Sequence, residues 1–447
     1  MKYSFFLLLI LSLRCSAQQN DQQIIDKANS LIVDANKNGM FSGVAVISIN
    51  GKKIFSKEIG YADLQTKELN EKTTLFNIGS LNKKFTQEII NQLVSEKKLS
   101  YDDKLSEYLD LKPADKENKI TIQHLLDMKS GLGDFLQSPL YIEKLQFQNF
   151  TLAELIDMIK NEPLQFEPGS NRKYSNSGYA VLGALIEKIT GKSYEQNLKE
   201  RIANPLGLDQ IFYTKEKISG QPNKAIGIDK KANSINEVIA NSTPAGGLYT
   251  NIDNLLHFVE AKLLPQDNIS GQQGPPLFAG GSPNWSAAVS YDKKLGLAIV
   301  VMANIGNDIS VEIVKRLNSI VRYQPYPPLK IAEALPLENI INERGYDYIK
   351  TNLKTIVEEK RIPYDDHFLN DAALIYIENN KPEIAINLFK LNVELFPNSP
   401  FTYDMLAQTY LKAGDKANAL TNFKKVVELD PRNENVKRII SELERKK

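Results

Sequence analysis

The stretch Phe76-Asn77-Ile78-Gly79-Ser80-Leu81-Asn82-Lys83-Lys84-Phe85-Thr86 decides how the chain reads. Gly79 frees the backbone to turn, and an amphipathic helix follows with Phe85, Ile89, Ile90, Leu93 and Val94 along one side. A serine in the first turn holds its hydroxyl near the positive end of the helix dipole. Lys83, three residues on, lies on the same face one turn along. A buried amine of lowered pKa can take the serine proton, which makes Ser80 a candidate nucleophile for acyl transfer in a Ser-x-x-Lys arrangement. The spacing alone is weak, since Ser95/Lys98, Ser170/Lys173 and Ser290/Lys293 share it. The first of these ends a helix, the second lies in a Pro-Gly loop and the third straddles a hairpin turn. Only Ser80 starts a helix just after a glycine.

With 447 residues, the chain has room for two or three domains. Its 55 basic and 54 acidic residues leave a net charge of +1, so nothing draws it to nucleic acid. Lys2, the apolar run from Phe5 to Leu13 and Cys15-Ser16-Ala17 read as an export signal, residues 1–17, cleaved after Ala17. The expected location is therefore periplasmic or secreted; lipid attachment at Cys15 is the alternative, which Arg14 fits poorly. The run is too short to span a bilayer, and no later stretch reaches the roughly 20 apolar residues needed, so no transmembrane segment is expected. Cys15 is the sole cysteine and leaves with the signal. His124, His257 and His367 are far apart without acidic or thiol company, so neither a metal nor any other cofactor is expected, and the base for Ser80 is expected to be something other than histidine.

Along the chain, residues 20–38 read as a helix, and Ser42 to Ile49 and Lys53 to Ile59 as strands joined by an Asn50-Gly51 turn. Thr121 caps a short helix, Thr151 and Glu154 form a capping box, and Asn251 caps another helix. Lys173-Tyr174-Ser175-Asn176-Ser177-Gly178-Tyr179 runs into an apolar helix ended by Gly191. Tyr174 can serve as a proton shuttle if nearby cations lower its pKa, and Asn176 offers a donor and an acceptor to a substrate amide. The plainer alternative is a polar loop with Asn176 as helix N-cap. Trp285 to Tyr291 and Leu295 to Ala303 read as a hairpin whose second strand is apolar throughout and so buried on both faces. A helix from Ile309 to Val321 follows.

Tyr323-Gln324-Pro325-Tyr326-Pro327-Pro328 breaks the pattern, which places a linker at residues 323–332 between a domain at 18–322 and an all-helical one at 333–447. In the latter, Tyr376/Tyr410, Ala385/Ala419, Phe389/Phe423, Ala373/Ala407 and Pro397/Pro431 recur at an offset of 34. This resembles tetratricopeptide repeats, at 366–399 and 400–433, with Val436 to Leu443 as a capping helix and Tyr346 to Glu359 covering the other end. Such repeats suggest a protein or peptide partner.

Several blocks agree in order. Gly79-Ser80-Leu81-Asn82-Lys83, His124-Leu125-Leu126 with Ser130-Gly131, Phe166-x-Pro168-Gly169 with Tyr174-Ser175-Asn176-x-Gly178-Tyr179, Pro205-Leu206-Gly207-Leu208, Ala245-Gly246-Gly247-Leu248 and Val301-Met302-Ala303-Asn304 resemble the serine beta-lactamase and penicillin-binding-protein-like hydrolases, in their class C-like and D-aminopeptidase/esterase branch. The resemblance covers about residues 24–322. It implies an α+β fold, an antiparallel sheet flanked by helices with an all-helical subdomain. It also implies Ser80 as acylated nucleophile, Lys83 as activating amine, Tyr174 as general base, Asn176 as ligand of the substrate amide, and the N–H groups of Ser80 and Gly281 as oxyanion hole.

The sequence departs from that family at its third motif. Where a cation, a small hydroxyl residue and glycine belong, the chain reads Phe278-Ala279-Gly280-Gly281. The charge-assisted contact to a substrate carboxylate is missing, as is one cation beside Tyr174. The short span 251–277 further suggests a sheet one strand short beside the site. The expected activity is therefore that of a secreted serine hydrolase acting through an acyl-enzyme on a small ester or peptide, esterase or peptidase rather than beta-lactamase. The competing reading is a catalytically weak or inactive fold serving, with its repeats, as a binding module.

Overall fold

The computed structural model describes residues 21–111, 119–138, 141, 150–160, 162–228, 241–266, 274–282, 284–306, 308–327, 329, 334–360, 365–366, 369–378, 381–431 and 433–445. The expected export signal with Cys15, and His367, lie outside these residues. The chain divides into two compact units, residues 1–327 and 328–447.

In the first unit, helix α1 (residues 21–37) leads into strands β1 (Gly43–Ile49) and β2 (Lys52–Ile59). Asn50 and Gly51 both take positive φ, 50° and 74°, as a two-residue turn matching the strand twist requires. Strands β3 (Leu277–Ser282), β4 (Trp285–Asp292) and β5 (Leu297–Ala303) complete an antiparallel sheet of order β2-β1-β5-β4-β3. Gly296, at φ 59°, ends the β4–β5 turn, so β5 begins two residues later than expected.

Strand β5 sits at the centre and is buried along its whole length. Alternate side chains go to opposite faces of a strand. Val44, Val46, Val300 and Met302 join a core with Phe85, Ile89, Ile90 and Leu93 of helix α2 (Asn82–Ser95). Ala45, Ile47, Ile299 and Val301 point the other way and are also buried. Both faces are covered, which explains a strand without polar alternation. Phe85 stacks on Phe258 with ring centroids 3.7 Å apart, which ties α2 to the later helix Ile252–Phe258 beneath the sheet. Burying one such side chain contributes about 1.5–3 kcal/mol.

The helical layer also holds α3 (Ile122–Leu126), α4 (Leu152–Lys160) and α5 (Asn176–Thr190). Thr121 caps α3 by accepting from the His124 N–H, and Asn251 caps Ile252–Phe258 from the Asn254 N–H. The N-cap of α5 is Ser175, which accepts from the Gly178 N–H; Asn176 is the first helical residue, and its side chain is free of capping duty. Among the described residues of 251–276 there is no strand; β3, which carries the third-motif residues, is the edge strand beside the Ser80 turn.

The second unit is helical among its described residues. Seven helices run Ala334–Arg344, Tyr346–Lys360, Asn370–Glu378, Pro382–Leu395, Pro400–Lys412, Lys416–Leu429 and Glu434–Arg445. The repeated positions Tyr376, Ala385, Phe389, Ala407, Tyr410, Ala419 and Phe423 form one apolar core, joined by Ile349, Leu353 and Val436 from the flanking helices. Alanine at the crossing points allows close helix approach, and Pro397 falls just past the end of Pro382–Leu395, where it cannot extend the helix.

Candidate active site

Ser80 lies in a single 3-10 turn, Gly79–Leu81, immediately before α2. Gly79 has φ 50°, and a Cβ there would stand 2.6 Å from the Trp285 ring, so both backbone and space require glycine. Lys83, in the first turn of α2, is only 6% exposed. Its Nζ donates to Asn176 Oδ1 at 2.7 Å and to the Ala245 carbonyl at 2.6 Å, and stands 3.1 Å from Ser80 Oγ. Tyr174 reaches the same point from before α5, with its hydroxyl 2.5 Å from Ser80 Oγ. Backbone bonds from Lys173 N–H to the Met128 carbonyl and from Gly169 N–H to the Lys129 carbonyl strap its approach to the turn after α3. Three segments far apart in sequence thus meet around one hydroxyl.

The electrostatics differ between the two basic candidates. Burial drives the Lys83 amine down from 10.5 to about 7, with Asp134 pulling the other way. The Tyr174 phenol moves up from 10.0: burial disfavours its anion, the Ser80 bond favours it, and Asp134 disfavours it again. The sequence makes a proton shuttle at Tyr174 conditional on cations lowering its pKa, and the shift runs the other way. Lys83 Nζ lies 4.8 Å from the Tyr174 ring centre. Near neutral pH the group poised to accept a proton is the amine.

A neutral amine has two N–H donors and one lone pair. Asn176 Oδ1 and the Ala245 carbonyl occupy both donors. The remaining direction, toward Ser80 Oγ, then carries the lone pair.

Strand β3 closes the other side. A Cβ on Gly280 would lie 2.3 Å from the Ile78 carbonyl oxygen and 2.4 Å from the Ser80 nitrogen, so only glycine lets β3 press against the nucleophile turn. Gly281 follows, its nitrogen 3.1 Å from where a Gly79 Cβ would stand. The third-motif cation is absent from β3, as the sequence indicates, but Lys84 brings an ammonium 3.5 Å from the centre of the Phe278 ring. Burial lowers that amine from 10.5 to about 8. Sequence reading did not foresee this pairing, nor Asp134, whose carboxylate takes the Asn176 amide at 2.8 Å. Both are contacts across the fold, and no spacing signals them.

His124 is occupied with its own helix start, its Nδ1 accepting from the Thr121 N–H. His257 sits in the last turn of Ile252–Phe258. Among the described residues no three His, Cys, Asp or Glu side chains gather as a metal site, and no helix is long and apolar enough to cross a membrane.

Residues 28–318 match the family described as Beta-lactamase, and residues 402–433 match a tetratricopeptide repeat. The chain is 26% identical over 350 residues to Protein flp of Staphylococcus aureus (strain MW2), covering 69% of this chain and 68% of that one. In fold it is similar to the octameric penicillin-binding protein homologue from Pyrococcus abyssi, with TM-score 0.60 and 21% identity over 71% of this chain and 82% of that one. It is likewise similar to EstCE1, a hydrolase with promiscuous acyltransferase activity, with TM-score 0.58 and 20% identity over 67% of this chain and 99% of that one. With nearly two thirds of its length in the family match, and a repeat near its C-terminus, this chain belongs to the beta-lactamase family, a family of serine hydrolases.

Proposed function

We propose that the protein is an exported serine hydrolase that forms an acyl-enzyme on Ser80 and acts on a small ester or peptide lacking a free carboxylate at the reacting end. The observation that carries this reading is the Lys83 amine, with both neutral-state donors occupied and its third direction on Ser80 Oγ. Neutral Lys83 takes the Ser80 proton as Oγ attacks the substrate carbonyl. The resulting oxyanion is received by the N–H groups of Ser80 and Gly281, on the two backbone segments pressed together at Gly280. The Tyr174 hydroxyl, bonded to Oγ, relays the proton from Lys83 to the leaving group, whose bond to the carbonyl carbon then breaks. Water attacks the acyl-enzyme in the second half, giving its proton to the same pair and releasing the acid and Ser80 hydroxyl. Asn176 serves the amine, and its amide is offered to the substrate amide as well.

The preference for uncharged acyl groups rests on Phe278, an aromatic ring where the resemblance calls for a carboxylate-binding cation. The same departure favours a second reading, a binding module whose repeats hold a protein or peptide segment. Turnover separates the two. The mature protein should hydrolyse p-nitrophenyl butyrate well and penicillin poorly, and Ser80→Ala should abolish both. No turnover of either substrate, and none of unlabelled amide substrates, sinks the enzyme reading and leaves the binding module.

A further inference from the structure

Asp134 follows the Ser130–Gly133 loop. Its Oδ2 accepts from Asn176 Nδ2 at 2.8 Å, and its Oδ1 from the Leu136 N–H at 3.1 Å. On the far side of Asn176, Oδ1 receives Lys83 Nζ at 2.7 Å. The two segments are clamped, Ser175 Oγ donating to the Gly133 carbonyl at 2.6 Å and the Phe135 N–H to Ser177 Oγ at 2.9 Å. A carboxylate only accepts, and the amine presents N–H groups. Only one orientation of the Asn176 amide satisfies both neighbours. Turned over, it would set its NH2 against the amine and its oxygen against the carboxylate.

We propose that Asp134 is a positioning residue, which locks the Asn176 amide so that its oxygen holds the Lys83 amine on Ser80. This rests on the hydrolase reading above. The carboxylate has a second effect through its charge, since it opposes burial at Lys83. The other groups about that amine are the Tyr174 and Tyr179 rings, 4.8 and 5.6 Å from Nζ, and neighbouring Lys84, turned onto Phe278. Tyr141 and Tyr174 also feel the Asp134 charge. Asp134→Asn keeps an acceptor oxygen and deletes the charge. Asp134→Ala deletes both.

The test is a double-mutant cycle on p-nitrophenyl butyrate hydrolysis, with folding checked by circular dichroism. Asp134→Ala should lower kcat about 10–100-fold, the usual range for loss of an outer orienting partner, with little change in KM. In an Asn176→Ala background, read on the high-pH plateau where Lys83 is neutral in either variant, the same substitution should cost little more. Asp134→Asn should move the ascending limb of the pH–rate profile to lower pH, because the amine loses a charge that favours its protonated form. Additive losses in the cycle, an unchanged kcat in Asp134→Ala, or an unmoved limb in Asp134→Asn overturn the proposal. If Asp134→Ala does not fold, Asp134→Asn carries the kinetic test. If the parent turns over nothing and is not acylated at Ser80, the hydrolase reading fails instead. The amide protons of Asn176, assigned by their loss in Asn176→Asp, then decide the geometry: they should shift strongly between parent and Asp134→Ala or Asp134→Asn, and unchanged shifts overturn it.

Discussion

Replacing Gly280 by alanine should disable acylation while leaving the fold intact. The added Cβ would lie 2.3 Å from the Ile78 carbonyl oxygen, 2.4 Å from the Ser80 nitrogen and 2.8 Å from the Gly79 carbonyl carbon. All three are backbone atoms, which cannot rotate aside as a side chain would. To reach ordinary contact, which begins at 3.4 Å, β3 must retreat from the Ser80 turn by about 1.1 Å. The Gly281 N–H moves with it, and the oxyanion hole widens by a similar amount. A misplacement of about 1 Å costs about 10²-fold, and outright loss of one oxyanion donor about 10²–10³-fold. Gly280→Ala should therefore lose about 10²–10³ in kcat/KM on p-nitrophenyl butyrate. Gly281→Ala is the control on the same strand. Its Cβ meets Trp285 O at 3.4 Å and Ser286 Cβ at 3.7 Å, which are ordinary contacts, so it should keep activity within about tenfold. A folded Gly280→Ala protein as active as the parent, or equal losses in the two variants, refutes the close apposition of β3 and Ser80.

Lys83 works as a base only when neutral, so kcat/KM, which reports the free enzyme, should climb with pH through about 7 and then level off; a plateau extending below pH 5 contradicts this. Tyr174, held above 10.0, should add no descending limb in the neutral range. Phe278→Lys should raise penicillin acylation more than ester hydrolysis, and combining it with Lys84→Gln should enlarge the gain by removing a like charge from beside the new lysine. Equal effects on both substrates would show that the missing cation does not set the preference. Phe423→Ala in the repeat core should cost about 3–5 kcal/mol of that unit's stability, read from its urea midpoint. A loss below 1 kcal/mol would mean that the repeats do not share a packed core.

Local features of the sequence carried much of this architecture. Asn50-Gly51 requires two positive φ angles and so announces its hairpin, and the apolar run of β5 announces a strand covered on both faces. The 34-residue recurrence of Tyr, Ala and Phe announces paired helices, because those positions are where helices touch. Gly79 before Ser80 singled out one Ser-x-x-Lys spacing among four, since the other three lack a turn into a helix. What stayed hidden is set by distance in the chain. The orienting carboxylate of Asp134 is 42 residues from Asn176, in a glycine loop like any other. The direction of the Tyr174 shift depends on how the fold screens the phenol oxygen of a half-exposed residue from water, and spacing carries no such information. Phe278 reads in sequence as the loss of a charge, and nothing there shows that Lys84, from a different element, stacks its amine on that ring.

The most direct measurement locates the covalent adduct. The protein is incubated with a fluorophosphonate probe, digested and mapped by mass spectrometry over a range of pH. The adduct should sit on the peptide carrying Ser80, vanish in Ser80→Ala and form faster as pH rises through about 7. Label on any other residue, or equal labelling of Ser80→Ala, contradicts an account built on one serine hydroxyl and one neutral amine.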